Sequence, residues 1–202
     1  VRTGLEAVDR RQGYRGPQGT MEAERFARLK GLIAHRIEEA GRRQKDAEYV
    51  ADLAPLAKAG PEPEPTAEDE GAEEQRPELT PEGEAPPSPE EALVGSVPLR
   101  PLKEGLRLTG FVTAVDDKKG IAKVDLVSRT AEISFATVRW ARQKGKGAPS
   151  SISDVFQPGQ LVRVRVLEAL PAPASVEATL DQIPAVQGGL VVINPANRHV
   201  VA

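Results

Sequence analysis

Hydrophobic and polar residues alternate most regularly between positions 102 and 184. Val162, Val164 and Val166 fall on one side of an extended chain, and Arg163 and Arg165 on the other. Val176, Ala178 and Leu180 repeat the pattern against Glu177, Thr179 and Asp181. A period of two puts every second side chain on one face, as in a strand buried on one side. The same reading predicts three earlier strands, over residues 104–117, 120–128 and 130–134, with a turn at 117–120. In the first of these, Phe111 and Val115 share one face while Leu106, Leu108 and Val112 share the other. Two apolar faces predict a strand covered on both sides. Gln157-Pro158-Gly159-Gln160 reads as a turn ahead of the fourth strand, since proline presets φ and glycine permits positive φ. Three strands, a short helical or irregular piece over 135–146 and two more strands is the order of an OB-type barrel. The expected fold class is mainly β, a small five-stranded OB-like barrel over residues 99–184.

A period near 3.6 runs from residue 20 to about residue 56. Phe26, Leu29, Ile33, Ile37 and Ala40 form one apolar stripe, the pattern of a helix with one buried face. Thr20 is placed to cap its start, and Glu22 and Glu24 lie where the helix dipole favours acid. Gly31 and Gly41 each weaken a helix interior by ~1 kcal/mol relative to alanine, which predicts a break near Gly41. Residues 18–56 are therefore expected as an α-helical segment preceding the barrel. His35, among Arg36, Glu38 and Glu39, reads as a surface histidine, because no second histidine or carboxylate pair completes a metal site.

Charge changes the picture between these two patterns. Glutamates recur from Glu62 to Glu91 with Asp69 among them, and Arg76 is the single base in that run. The formal net charge of −3 thus conceals a remainder that is basic. With 18 prolines and only 39% hydrophobic residues overall, the run lacks the apolar content to offset the entropy of ordering. Residues 57–98 are expected as a disordered acidic Pro/Glu linker acting as a tether. The absence of cysteine excludes disulfides and thiolate metal sites. No apolar run reaches the ~18 residues of a membrane span, and no signal-peptide pattern is read at the start. The chain begins at Val1 and stops on His199-Val200-Val201-Ala202; both ends are expected to be cut from something longer. Residues 185–202 outline a hairpin, with Asn194-Pro195-Ala196-Asn197 as its turn.

Chemistry-bearing residues are few. Asp9-Arg10-Arg11-Gln12-Gly13-Tyr14-Arg15-Gly16-Pro17 breaks a short helix in which Leu5 and Val8 share a face. Two readings stay open: a solvated basic connector over residues 1–17, or a docking loop in which Arg10, Arg11 and Arg15 around Tyr14 pair with carboxylates of a neighbouring domain. Trp140, the only tryptophan, stands between Arg139 and Arg142. It is either a core plug whose indole N–H reaches a carbonyl or a stacking platform. Lys144-Gly145-Lys146-Gly147 lacks the spacing of a phosphate loop. Arg163, Arg165 and the loop from Arg139 to Lys146 make the basic surface of the barrel.

Two stretches carry a family resemblance. The segment from Asp9 to Pro17, with Gly4-Leu5 before it, resembles the region that follows the glycosyltransferase domain in class A penicillin-binding proteins of the 1A type. Val8 replaces an aromatic there and Gln12 a histidine. Asp181-Gln182-Ile183-Pro184-Ala185-Val186-Gln187-Gly188-Gly189-Leu190-Val191-Val192-Ile193-Asn194-Pro195 is similar to the start of their transpeptidase domain, with Gly189 in place of the commoner alanine and Asn197 in place of glycine. In that family an OB-like domain occupies the interval between the two. The resemblance implies that residues 185–202 are the truncated first hairpin of the transpeptidase domain. It implies a parent that is a bifunctional peptidoglycan synthase, held at the periplasmic face of the bacterial inner membrane by an upstream anchor. Partners implied are the glycosyltransferase and transpeptidase domains of the same parent and an outer-membrane lipoprotein activator.

The parent's chemistry is not expected in this stretch. No serine from Ser88 to Ser175 has lysine three residues on, and neither Ser-x-Asn nor Lys-Thr-Gly occurs, so the transpeptidase motifs are missing. Both histidines, His35 and His199, lie outside the barrel, which leaves no Ser-His-Asp arrangement within it. No catalytic, cofactor or metal residue is therefore assigned. The expected function is a non-catalytic accessory module working as spacer and protein-docking surface in cell-wall synthesis. A nucleic-acid-binding OB module is the alternative. It would stack bases on Phe111, Phe135 or Trp140, but the acidic linker would repel phosphate. An independent enzyme would need converging acid and base groups that no motif supplies.

Overall fold

A computed structural model describes residues 2–43, 47–59, 88–143, 147–172 and 174–185. In chain order the elements are α1 (Arg2–Gln12), β1 (Gly19–Thr20), α2 (Ala23–Arg43), β2 (Tyr49–Ala51), α3 (Ala54–Lys58), α4 (Pro89–Gly95), β3 (Leu99–Pro101), β4 (Arg107–Asp116), β5 (Ile121–Asp125), β6 (Thr130–Ser134), α5 (Phe135–Val138), β7 (Gln160–Glu168) and β8 (Val176–Leu180). Most of the expected linker (60–87) and the expected hairpin from 186 onward lie outside the described residues.

The barrel is closed and mixed. Strands run in the order β7-β4-β5-β6-β8, and β8 pairs back onto β7. All its ladders are antiparallel except β6 with β8. Closure leaves no barrel edge to recruit another chain. Long β4 pairs with β7 along its first half and with β5 along its second. A register shift between Val112 and Ala114 marks a bulge where it bends. Leu108, Val112, Val124, Ile133, Val162 and Val164 fill the interior. The turn before β7 forms as expected, with Gly159 at φ 87°.

The bulge corrects one sequence expectation. It inverts the alternation beyond Val112, so Val115 packs on the barrel core rather than beside Phe111. Phe111 points outward, as expected of a strand covered on both sides, into a second core. That core is roofed by α2. Phe26, Leu29 and Ile33 are buried along one helix face, with Ile37 packed at its edge. Phe26 stacks on Phe111 with centroids 4.0 Å apart. The Lys30 ammonium pairs with Asp125 at the same seam.

The helical segment differs from expectation in three places. Thr20 is a strand residue opposite Gln160 on β7, and the helix starts at Ala23. The helix passes through Gly31 and ends at Arg43, two residues beyond Gly41 and so near the break expected there, not at residue 56. Residues 49–51 then form a strand on β3 rather than more helix. Both ends of the expected 57–98 linker carry helix, with α3 reaching Lys58 and α4 spanning Pro89–Gly95. Ser88 caps α4 with a reciprocal box through Glu91, and Pro89 sits at the first helical position, both strong starts for a helix. Arg36 of α2 donates to the carbonyls of Val94 and Val97, satisfying groups that a helix end leaves open. Leu56 before the acidic run and Val94 and Val97 after it lie in the same second core. The run is therefore an insertion into one packed unit, not a tether between two.

Candidate functional site

The helix expected to break from Asp9 onward runs on to Gln12, and Gly13 turns the chain onto the barrel. Gly13 adopts φ 94°, a left-handed value at which glycine ends helices. A Cβ there would lie 2.3 Å from the Arg142 carbonyl oxygen, so the close approach also requires glycine. Beyond the turn, the Tyr14 N–H donates to that carbonyl at 2.8 Å. Tyr14 is buried and meets Trp140 edge-on at 6.5 Å. The Arg10 guanidinium lies 5.2 Å from the centroid of the same indole, a cation–π arrangement. Burial pushes the Tyr14 hydroxyl above its ordinary pKa.

Asp9 is the hub of this region. It is 2% exposed, and its carboxylate accepts from Arg15 Nη2 at 3.2 Å, from Gln182 Nε2 and from the Ala185 N–H at 3.0 Å. A buried carboxylate is tolerated when its lone pairs are filled this way. Gln182 Nε2 also donates to the Gly13 carbonyl at 3.1 Å, and Arg15 to the Ile183 carbonyl. Beside it, Asp181 receives Arg163 at 3.2 Å and Arg107 at 3.8 Å, and Arg107 reaches Glu6 of α1 at 2.7 Å. The segment arriving through α1 and the segment leaving β8 thus lie against each other on one side of the barrel.

The residues singled out by sequence divide into two groups. Arg10, Tyr14, Arg15, Trp140 and Arg163 are engaged inside the molecule, so Tyr14 is withdrawn from the surface and the charge of Arg163 is met by Asp181. Trp140 is half-buried, and its indole N–H finds no acceptor among the described residues, unlike the plug expected to reach a carbonyl. Arg11, Arg139 and Arg142 are exposed and Arg165 is half-exposed on β7. Arg139 lies over the Phe135 ring at 5.7 Å. Glu6, Asp9, Arg107, Asp181 and Gln182, which hold the two segments together, were not singled out. Asp9, Asp181 and Gln182 stood in the two family-like stretches, and only their proximity was hidden.

Two open clefts flank this region. One of about 650 Å³ is lined by Asp9, Gly13, Tyr14, Arg15, Pro17 and Gln143. The other, of about 500 Å³, includes Ser153, Asp154, Gln157 and Gln160. Backbone hydrogen bonds from Ser151 and Ser150, then the Ser150 hydroxyl, lower the Asp154 pKa to about 2. A group that acidic is a poor proton donor near neutrality. Among the described residues no cluster of histidine, aspartate or glutamate could hold a metal ion, and no helix is long and apolar enough to cross a membrane. Phe111, a base-stacking candidate in the nucleic-acid reading, is 3% exposed beneath Phe26.

Comparison with known proteins gives one family. The family model of the penicillin-binding protein OB-like domain matches residues 70–186. No curated protein matches the chain. The solution structure of GSP13 from Bacillus subtilis is similar at 18% identity and a TM-score of 0.35, over 48% of this chain and 68% of that one.

Proposed function

Because the chain belongs to the penicillin-binding protein OB-like domain family, we propose that it is the non-catalytic accessory domain of a class A, 1A-type bifunctional peptidoglycan synthase. The parent would polymerise glycan strands and cross-link their stem peptides at the periplasmic face of the inner membrane. The observation that carries this reading is the pairing of the arriving and departing segments, with Asp9 bonded to Gln182 and Ala185. A module inserted between two catalytic domains needs neighbouring attachment points if it is mounted to the side and leaves their spacing to the connectors. The barrel then presents Arg139, Arg142 and Arg165 to a partner, with an outer-membrane lipoprotein activator as the proposed one. Exposed arginines recognise carboxylates bidentately and set association rates through their charge.

Fluorescent penicillin tests the parent's identity. It is expected to label the intact gene product at a serine outside these 202 residues and to leave the isolated chain unlabelled. An unlabelled intact product would overturn the reading. The docking role is tested in the intact product by reversing Arg139, Arg142 and Arg165 to glutamate. Activator binding is expected to weaken at least tenfold with the barrel still folded; undiminished binding would remove this surface.

A further inference from the structure

The two stretches that carry the family resemblance bind each other. Every bond described around Asp9 joins Asp9, Gly13 or Arg15 of the first to Gln182, Ile183 or Ala185 of the second, or lies within the first. The contacts span up to 176 residues of chain, so nothing in local structure requires them. We propose that these residues form a clasp that fixes the outgoing chain to the incoming chain, so that displacement of one displaces the other.

Three features mark it as a built device. The hub is a carboxylate buried to 2% exposure, and its satisfaction depends on Gln182 and Ala185 as well as Arg15. Leaving such a group without partners costs far more than a surface pair is worth, so the clasp is held shut and cannot fray at one bond. It is cross-linked to the barrel on both sides: Tyr14 binds the Arg142 carbonyl, and Asp181 holds Arg107 and Arg163. Its last bond is to the backbone N–H of Ala185, which fixes the chain itself and not only a side chain. The clasp needs no assumption about neighbouring domains. Its use as a coupling between glycan polymerisation and cross-linking rests on the function proposed above.

The chain has no cysteine, so paired spin labels can be placed uniquely. Val8 and Ile183 are exposed at 42% and 63%, and Val8→Cys with Ile183→Cys reports the separation of the two segments. A single narrow distance distribution is expected, broadening when Asp9→Ala is added. Amide exchange at Ala185 is expected to rise about tenfold or more, the effect of losing a charge-assisted hydrogen bond, while amides of β4 and β7 keep their protection. Gln182→Ala is expected to give the same opening, and Asp9→Ala with Gln182→Ala little more than either alone. A narrow distribution and a protected Ala185 amide in Asp9→Ala would overturn the clasp. If Asp9→Ala unfolds the barrel, Gln182→Ala supplies the same readout. In the intact product, Asp9→Ala is expected to leave polymerisation and penicillin labelling each intact while lowering cross-linking of newly made glycan severalfold. Unchanged cross-linking with the clasp open would overturn the coupling. Absence of penicillin labelling in the unsubstituted product would instead defeat the parent's identity and leave the clasp standing.

Discussion

The rings of Phe26 and Phe111 stack at 4.0 Å and 14°, and this contact joins a helix that precedes the acidic run to a strand that follows it. The helix is therefore part of the barrel's folding unit. Both rings lie in the second core with Leu161, Leu53 and Val97. That core draws on six stretches of the chain, around residues 21–37, 51–57, 93–99, 111, 127 and 161.

Phe26→Ala is expected to destabilise the whole unit by about 3–5 kcal/mol, through lost burial and the cavity left between α2 and β4. Helix content by circular dichroism and the emission of Trp140 are expected to fall in one transition at a lower denaturant concentration. Loss of helix at a concentration where Trp140 is still native would show that helix and barrel are separate units.

The acidic run offers a second check on the same architecture. Its two flanks, Leu56 and Val94, are buried in one core, and the entropy of closing a loop between two such fixed points grows only slowly with its length. Replacing residues 61–86 with a Gly/Ser linker of about half the length is expected to stabilise the fold by about 0.6 kcal/mol. Chemical denaturation measures this directly. A large loss of stability would mean that the acidic residues hold structure of their own.

How much of this was legible follows from what each element depends on. The five barrel strands were readable because each has at least five residues, long enough for a period of two to repeat. β1, β2 and β3 have two or three residues and therefore no period. Their pairing is fixed by partners far along the chain. The bulge in β4 was hidden because Phe111-Val112-Thr113-Ala114-Val115 fits either parity. α4 did carry a local signal, Ser88 with Glu91 three residues on, but it was absorbed into the Pro/Glu composition around it. The two ends of the clasp were each legible as family-like stretches. Their contact was not, since Asp9 reads equally well as a solvated turn residue and only the folded barrel brings Gln182 to it.

Gly13 and Gly16 both adopt positive φ, at 94° and 103°, and separate two causes of strain. A Cβ at Gly16 meets nothing within 4 Å, whereas one at Gly13 meets the Arg142 carbonyl. Gly16→Ala is expected to cost about 1–2 kcal/mol of conformational strain alone. Gly13→Ala adds a clash with backbone and is expected to undock the connector from residues 140–143. The measurement is Trp140 emission, which is expected to shift to longer wavelength in Gly13→Ala as Tyr14 leaves its edge. Equal spectra for the two variants would show that the close approach at Gly13 is not needed.

Asp154 gives the loop ahead of β7 a pH dependence whose sign can be worked out. Its carboxylate accepts the N–H of Ser151 at 3.0 Å, and the N–H and hydroxyl of Ser150 at 2.8 and 2.9 Å. These bonds favour the ionised form and lower its pKa from the ordinary 3.8 to about 2. A group whose pKa is depressed on folding stabilises the folded loop above its unfolded value and loses that contribution as pH falls through the folded one. The loop is thus expected to hold its structure down to about pH 4 and to loosen between there and about pH 2. The carboxyl carbon resonance of Asp154 followed by NMR is expected to titrate in that lower range, with the Ser150 and Ser151 amides moving in step. Asp154→Asn removes the charge and is expected to leave those amides exchanging faster at neutral pH, with no further change on acidification. A carboxyl titrating at its ordinary value, with amides indifferent to it, would show that the serine hydrogen bonds do not persist in solution.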